Sequence, residues 1–289
     1  AKIASVGAVR DIPLAESGWE TMPESFVDEY VEAILPIIER SDATDTGAAR
    51  AARANLRIVH TAMHGVGSAT MLSAFESAGF TDVHSVKEQQ EPDPDFPTVP
   101  FPNPEEKGAI DLAAKLAEQV EADLVIANDP DADRCAAAIY DPRREGWRML
   151  HGDELGLLLA TYIADHREVE GTFANSIVSS RSLGALAKAR GYASTQTLTG
   201  FKWIARAHNI AFGYEEAIGY CVLPDVVKDK DGMSAALAIA ELAALTKAHG
   251  ASLVDLLDDL ARECGLYLTS QLSIRVSNLD RIGEMMTTL

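Results

Sequence analysis

Three aspartates and an arginine form the stretch of the sequence most suited to chemistry. In DLVIANDPDADR an apolar run ends, Asp129, Asp131 and Asp133 follow at alternate positions, and Arg134 comes next. Like charges in one short loop repel one another unless a cation lies between them. Carboxylate oxygens suit Mg²⁺, which keeps open positions for a substrate phosphate, and a guanidinium offers phosphate a planar fork. The loop therefore predicts a metal site that handles phosphate.

Other interpretations of this aspartate loop fit less well. An EF-hand calcium loop also begins D-x-D-x-D, but it needs Gly at its sixth position and Glu at its twelfth, where this chain has Arg134 and Tyr140. A haloacid-dehalogenase phosphatase also has D-x-D after a strand, but would want a threonine or similar residue where Asp133 stands. A solvated acidic turn would explain neither the apolar strand before the loop nor the arginine in it.

A second acidic loop, GYEEAIGY, follows a later apolar run. Glu215 and Glu216 are adjacent there, at the expected end of a strand. A carboxylate in that place can accept hydrogen bonds from two neighbouring hydroxyls of a sugar. A glutamate that is simply exposed at a turn is the alternative.

Two lysine-containing motifs flank this second loop. In TGFKWI, Lys202 falls in the first turn of a predicted helix behind Thr199 and Gly200, an arrangement that favours phosphate binding. In VKDKDG, Lys228 and Lys230 precede the predicted start of a long helix. Ordinary surface lysines remain the alternative for both motifs.

The elements that must position these loops alternate between strand-like and helix-like patterns. Such alternation predicts an α/β fold of two consecutive domains with mixed, mainly parallel sheets. Parallel sheets place their functional sites beyond the carboxyl ends of strands, where both acidic loops fall. The predicted organisation is an N-terminal segment with one helix at 1–40, a first domain at 41–150, a second at 151–264, and a connecting tail at 265–289.

Two flanking segments are expected to lie outside the alternating strands and helices of the two domains. The polar, small-residue stretch ERSDATDTGAARAAR, residues 39–53, has the composition of a linker. The tail from Gly265 opens with the alternation of a strand and belongs to neither domain.

The composition narrows the class of protein. The 289 residues carry a formal charge of −19, which argues against general nucleic-acid or anionic-membrane binding. Three cysteines without a CxxC pair make a disulfide framework improbable and favour the cytoplasm. No apolar stretch has the length of a membrane span. The sequence lacks an initial Met, which suggests that it is cut from a longer polypeptide.

In the order NDPDADR, TGFKWI, GYEEAIGY and KDKDG, these motifs resemble the α-D-phosphohexomutase superfamily, which contains phosphoglucomutase and phosphomannomutase. TAMHGVGS and the proline-rich EPDPDFPTVPFPNPEE resemble the start and the long loop of its second domain. Members have four domains, and this chain resembles domains II and III. The phosphoserine motif of domain I and the phosphate-gripping motif of domain IV do not occur here.

The resemblance implies a mechanism and a role for each motif. A phosphoserine bound to one Mg²⁺ gives its phosphoryl group to a sugar monophosphate, and the resulting sugar bisphosphate, which is both intermediate and activator, turns over and returns its other phosphate. The partners are then the sugar phosphate and the missing domains I and IV. The implied roles are metal ligands for Asp129, Asp131 and Asp133, phosphate contact for Arg134, sugar recognition for Glu215, acid–base catalysis for Lys202, and further substrate contacts for Glu216, Thr199, Gly200, Lys228 and Lys230.

One departure from the family pattern leaves the sugar open. Many members have Ser two residues after the sugar-binding glutamate, where this chain has Ala217, and the form EEAIGY is closest to the branch with phosphopentomutase-type members. The leading hypothesis is part of a mutase for glucose or mannose phosphate that is inactive by itself. A phosphopentomutase, a non-catalytic sugar-phosphate-binding module and a metal-dependent phosphatase are the alternatives.

Overall fold

The computed structural model describes residues 5–23, 25–38, 47–270 and 276–288. Within these residues two mixed sheets carry helices on their faces, which confirms the predicted α/β class. The helices are α1 (Ser25–Ile34), α2 (Gly47–Ala54), α3 (Ser68–Ala78), α4 (Asp111–Val120), α5 (Gly152–His166), α6 (Ser182–Arg190), α7 (Phe201–Ile204), α8 (Gly232–Ala248), α9 (Leu253–Cys264) and α10 (Asp280–Thr288), with 3₁₀ turns at Val9–Asp11, Leu35–Ile37 and Lys87–Gln89.

The first sheet has five strands in the order β2-β1-β3-β4-β5. Strand β1 pairs in parallel with β2 and β3, whereas β4 pairs antiparallel with β3 and with β5. Every residue of β3 is buried, as its apolar sequence requires of a strand covered on both faces. The strands are β1 (Arg57–Thr61), β2 (Asp82–Ser85), β3 (Leu124–Asn128), β4 (Cys135–Asp141) and β5 (Gly146–Met149).

The second sheet has four strands in the order β7-β6-β8-β9. Strand β6 pairs in parallel with both of its neighbours, and β9 returns antiparallel to β8. Its strands are β6 (Thr172–Ser176), β7 (Ala193–Thr197), β8 (Ile210–Glu215) and β9 (Gly219–Cys221).

Alternation along the strands divides the first sheet between two cores. Val59 and Val125 pack on one face with Ala113 of α4, and Ile58 and Ile126 face the larger core on the other side. Helix α8 belongs to that larger core and contacts β3 and β4 of the first sheet as well as β9 of the second. A helix that is apolar on almost every side must be surrounded by protein, and α8 meets this condition.

The predicted linker is wrong over its described part. Residues 39–46 lie outside the described residues, but Gly47–Ala54 forms α2 and packs against α8. The small residues that suggested a linker permit close helix packing, and Arg53 is buried within it. The Arg53 Nε donates to Glu241 Oε2 of α8 at 2.7 Å, and its Nη2 donates to Oε1 at 3.1 Å.

The two ends of the chain differ in their packing. Val31 and Ile34 of α1 are buried in the larger core, and Tyr30 Oη donates to Asp231 Oδ1 at 2.7 Å. The strand expected from Gly265 is wrong over 265–270, which form no regular element, and 271–275 lie outside the described residues. The division into domains at residues 150 and 264 stays a prediction.

No single helix in the described part of the chain is long and apolar enough to span a membrane. Helices α8 and α9 reach that length only as a pair bent by 93°, and most residues of α8 are buried inside the protein.

Replacing Glu241 with Gln should destabilise the chain by about 1.5–3 kcal/mol, because the charged acceptor that Glu241 offers the buried Arg53 guanidinium becomes neutral. Urea unfolding measures the change in the free energy of unfolding. Asp259→Asn is the matched control, since it breaks a pair with Arg262 in which both side chains are about 70% exposed. Equal midpoints for the two variants would contradict the structural role of the buried pair.

Candidate functional site

The aspartate loop lies where the sequence predicted it, between the carboxyl end of β3 and the start of β4. One oxygen from each of Asp129, Asp131 and Asp133 lies within 4.8 Å of the others. Ala132 takes a left-handed conformation with φ of 59°, which turns the chain sharply enough to bring the three together. A set of hard oxygen donors at this spacing fits a divalent cation such as Mg²⁺.

Hydrogen bonds from the ends of two strands hold this loop in place. Asp129 Oδ1 accepts from the Arg134 backbone N at 3.0 Å. Asn128, the last residue of β3, donates through Nδ2 to the Arg134 carbonyl at 2.8 Å, and its Oδ1 lies 3.0 Å from His60 Nε2. Burial lowers the pKa of His60 to about 4, so its ring is neutral and Nε2–H donates to the Asn128 amide oxygen. Buried hydrogen bonds that run from His60 of β1 through Asn128 therefore support the loop.

The charges of the loop are only partly balanced. Burial raises the pKa of Asp129 to about 6, and the negative charges of Asp131 and Asp133 add to this effect, while the Arg134 backbone N–H and guanidinium oppose it. Lys230 Nζ lies 2.9 Å from Asp133 Oδ2. Burial alone would lower the pKa of Lys230, but this contact raises it overall. A cation would supply the balance that the two basic side chains leave incomplete.

A glycine loop packs directly against the aspartate loop. The Val66 backbone N donates to the Pro130 carbonyl at 2.9 Å. A Cβ on Gly65 would come within 2.4 Å of Pro130 Cα, so only glycine permits this approach. His64 turns the other way, with Nε2 2.8 Å from Thr98 Oγ1, and thereby fixes the proline-rich loop.

The two acidic loops meet through their main chains. Arg134 forms an antiparallel bridge with Gly219, and the Cys135 N donates to the Ile218 carbonyl at 3.2 Å. The Arg134 Nη1 donates to the Ala217 carbonyl at 3.2 Å. The carboxyl edge of one sheet is thus joined to that of the other, and the arginine lies at the junction.

The adjacent glutamates have different environments. Glu215 ends β8 as a partly buried residue, and burial raises the pKa of its carboxyl, while Lys230 and Arg134 lower it. Glu216 Oε2 accepts from Ser176 Oγ at 2.9 Å and from Ser179 Oγ at 2.8 Å. Glu215 therefore has no hydrogen-bonded partner for its carboxylate in the described residues, whereas Glu216 anchors its loop to the two serines through Oε2.

The remaining predicted residues lie at the margin of this arrangement. Thr199 is exposed, and Gly200, with φ of 99°, precedes the four residues of α7. Lys202 is exposed with Nζ 5.8 Å from the centre of the Trp203 ring. Lys228 is exposed on the turn before α8. Helix α7 approaches Lys230 through its first residue, Phe201, whose ring centre lies 5.8 Å from Lys230 Nζ.

Sequence reasoning missed several polar residues that support or line the site. A histidine inside the apolar run LRIVHTAM is a signal, because a buried polar side chain needs a partner. The missed residues are His60, Asn128, Glu105, Ser176 and Ser179.

The acidic and basic loops of two α/β units meet at one edge in this chain, an arrangement of charges suited to a cation and an anionic ligand. Family models for the phosphoglucomutase/phosphomannomutase alpha/beta/alpha domains II and III match residues 28–142 and 151–264. The chain belongs to the phosphoglucomutase/phosphomannomutase family.

Individual relatives agree with this assignment. A Haemophilus influenzae protein named "Probable phosphomannomutase" is 42% identical over 289 residues, which are 100% of this chain and 57% of that protein. Human phosphopentomutase is 41% identical over 232 residues, which are 74% of this chain and 38% of that protein. The crystal structure of a phosphoglucomutase/phosphomannomutase family protein from Burkholderia thailandensis has the same fold, with a TM-score of 0.64 at 19% identity over 81% of this chain and 46% of that one. The chain therefore spans about half the length, or less, of the relatives it matches.

Replacing Asp129 with Asn should stabilise the metal-free chain at pH 7.5 by about 1–2 kcal/mol. The folded state raises the pKa of this carboxyl from 3.8 to about 6, so it binds the proton more tightly than the unfolded state does. Stability is therefore lost as the pH rises through this range, and Asn avoids the loss while its oxygen can still accept from the Arg134 N–H. Urea unfolding in EDTA at pH 7.5 and pH 4.5 measures both values.

The increase in the free energy of unfolding that Asp129→Asn causes should fall towards zero at pH 4.5, where the Asp129 carboxyl of the folded chain is protonated. Asp95→Asn, at an exposed position of the proline-rich loop, is the control and should change neither value. A variant that is less stable than the parent at pH 7.5 would contradict the predicted electrostatic cost.

Proposed function

We propose that this chain is the central part of a phosphosugar mutase that moves a phosphoryl group between the 1- and 6-positions of glucose or mannose phosphate. The main-chain junction between the two acidic loops carries the proposal. It joins the loop that carries the candidate metal site and Arg134 to the loop that carries Glu215, which would let a phosphoryl group and a sugar lie side by side. The names of the relatives, which include phosphomannomutase, support this class of reaction.

Each residue of the site has a physical task in this reaction. Asp129, Asp131 and Asp133 would hold one Mg²⁺, which neutralises charge on the transferring phosphoryl group. Arg134 would neutralise further charge, and such neutralisation with positioning provides most of the catalysis of phosphoryl transfer. Glu215 would accept hydrogen bonds from sugar hydroxyls.

Proton transfer and phosphate binding would fall to the basic residues. The O–P bond of a phosphoserine would break as a sugar O–P bond forms. Lys202 would take the proton that the sugar hydroxyl loses, and the departing serine oxygen would take up a proton to become the hydroxyl. Lys228 and Lys230, with the backbone at Thr199 and Gly200, would bind the phosphate that is not reacting. The serine and further phosphate contacts would come from domains I and IV, and a sugar bisphosphate would act as intermediate and activator in a cytoplasmic enzyme.

A phosphopentomutase, acting between the 1- and 5-positions, is the second candidate. Human phosphopentomutase is nearly as similar as the Haemophilus relative, and Ala217 offers no hydroxyl to a hexose. A panel of hexose and pentose 1-phosphates assayed with the complete gene product distinguishes the two.

The gene outside both ends of this segment should encode a serine-containing domain upstream and a phosphate-binding domain downstream. The complete product should then interconvert sugar phosphates, whereas the 289-residue chain alone should not, because it lacks the phosphoryl donor. A coupled assay for glucose 6-phosphate measures both. Turnover by the chain alone would overturn the assignment, and release of inorganic phosphate from sugar phosphates would favour the phosphatase alternative. A gene without the serine-containing domain would favour a non-catalytic binding module.

Mg²⁺ should raise the thermal midpoint of the chain, and Asp131→Asn should remove this shift, because the exposed Asp131 supplies a ligand oxygen. Differential scanning calorimetry with Mg²⁺ and with EDTA measures the shift. Asp95→Asn, outside the loop, should keep it. A shift that persists in Asp131→Asn would place the binding site elsewhere.

A further inference from the structure

A polar cavity of about 470 Å³ lies beside the junction of the two acidic loops. Its walls come from the proline-rich loop, the start of α5, the second acidic loop and the segment after α9. The lining residues that matter here are Glu105, Gly152, Asp153, Glu216, Ala217 and Thr269.

Two of the three carboxylates in this cavity are already engaged. Asp153 Oδ1 accepts from the Ser180 N at 2.6 Å and from Tyr214 Oη at 2.8 Å, and its Oδ2 accepts from Thr269 Oγ1 at 2.7 Å. Glu216 is hydrogen-bonded to two buried serine hydroxyls, as described above. Neither carboxylate can turn towards a ligand without breaking these bonds.

Glu105 differs from both. No hydrogen bond joins its carboxylate to a partner in the described part of the chain, although the residue is partly buried. Burial raises the pKa of this carboxyl, and the charge of Arg134 opposes the rise. The carboxylate oxygens of Glu105 are therefore free to accept a hydrogen bond from a ligand in the cavity.

The loop that carries Glu105 is fixed rather than free. The Glu105 backbone N donates to Asn103 Oδ1 at 3.0 Å, which forms a local turn. Val99, before Glu105, and Ala109, after it, are both buried with Met63, the residue before His64. The carboxylate is therefore presented to the cavity by a backbone that is held at several points.

Ala217 also lines the cavity, and its methyl side chain neither donates nor accepts a hydrogen bond. Its backbone carbonyl already accepts from Arg134. Among the three carboxylates of the cavity, Glu105 is the one with no hydrogen bond to either oxygen in the described residues, whereas Glu216 keeps only Oε1 free.

We propose that Glu105 is a specificity-determining residue that accepts a hydrogen bond from a hydroxyl of the bound sugar phosphate, an inference that rests on the proposed mutase function. The cavity, its engaged carboxylates and the fixed loop together place the contact on the proline-rich loop. Glu105 then adds a sugar contact from the proline-rich loop to the one proposed for Glu215.

The test uses the complete gene product and the best sugar 1-phosphate of the panel, together with the analogues of that sugar that lack one hydroxyl each. Glu105→Ala should lower kcat/KM for the parent sugar by about 10- to 100-fold, the usual range for loss of a charged hydrogen bond. For one deoxy analogue, the variant and the parent enzyme should have the same kcat/KM, because the hydroxyl that Glu105 binds is missing. Glu105→Gln keeps an acceptor oxygen and should recover part of the loss.

Glu91→Gln, at an exposed position of the same loop, is the matched control and should behave as the parent enzyme. Thermal midpoints of the Glu105 variants that lie within about 2 °C of the parent midpoint would show that these variants fold. An equal loss for every deoxy analogue, or no loss at all, would overturn the proposal while leaving the mutase assignment intact. A parent enzyme that converts no sugar phosphate would instead overturn the proposed function, and this inference with it.

Discussion

Repulsion among the three carboxylates that follow β3 is the constraint on which the rest of the site depends. Arg134 is the one basic residue of their own loop. A second balancing charge, Lys230, comes from the turn before α8. The packing of the second sheet against the first therefore reduces the repulsion, and a bound cation would reduce it further.

Glycines allow that close approach. A Cβ on Gly219 would lie 2.4 Å from Lys230 Cδ, and one on Gly232 would lie 2.2 Å from the Arg134 carbonyl oxygen. A side chain at position 232 would force the backbone segments apart, and one at position 219 would displace the Lys230 side chain from its place. The motifs EEAIG and KDKDG therefore contain their glycines for a steric reason, in addition to the charged residues that serve a chemical one.

The sequence predicted those parts of the site that local patterns determine. Asp129 and its neighbours follow an apolar run, and a parallel strand with this pattern ends at a sheet edge. The different environments of Glu215 and Glu216 could not be predicted, because the hydroxyls of Ser176 and Ser179 come from a strand end about 40 residues earlier in the chain. Helix α2 was missed for a related reason, since its partner Glu241 is 188 residues distant from Arg53. Both misses are long-range contacts between polar residues, which leave no periodic signal.

In the proposed mutase, the two sheets would have separate tasks, which would explain how one family can include relatives named for different sugars. Charge neutralisation for phosphoryl transfer would depend on the loop after β3, and recognition of hydroxyls would depend on the loop after β8 and on residues near it. The main-chain bridge between Arg134 and Gly219 sets the distance between these two functions without using a side chain of either. Side chains on the sugar side can then change, as at Ala217, while the geometry of the phosphate side is preserved. The sugar specificity can therefore change within this architecture while the residues that balance the three aspartates stay the same.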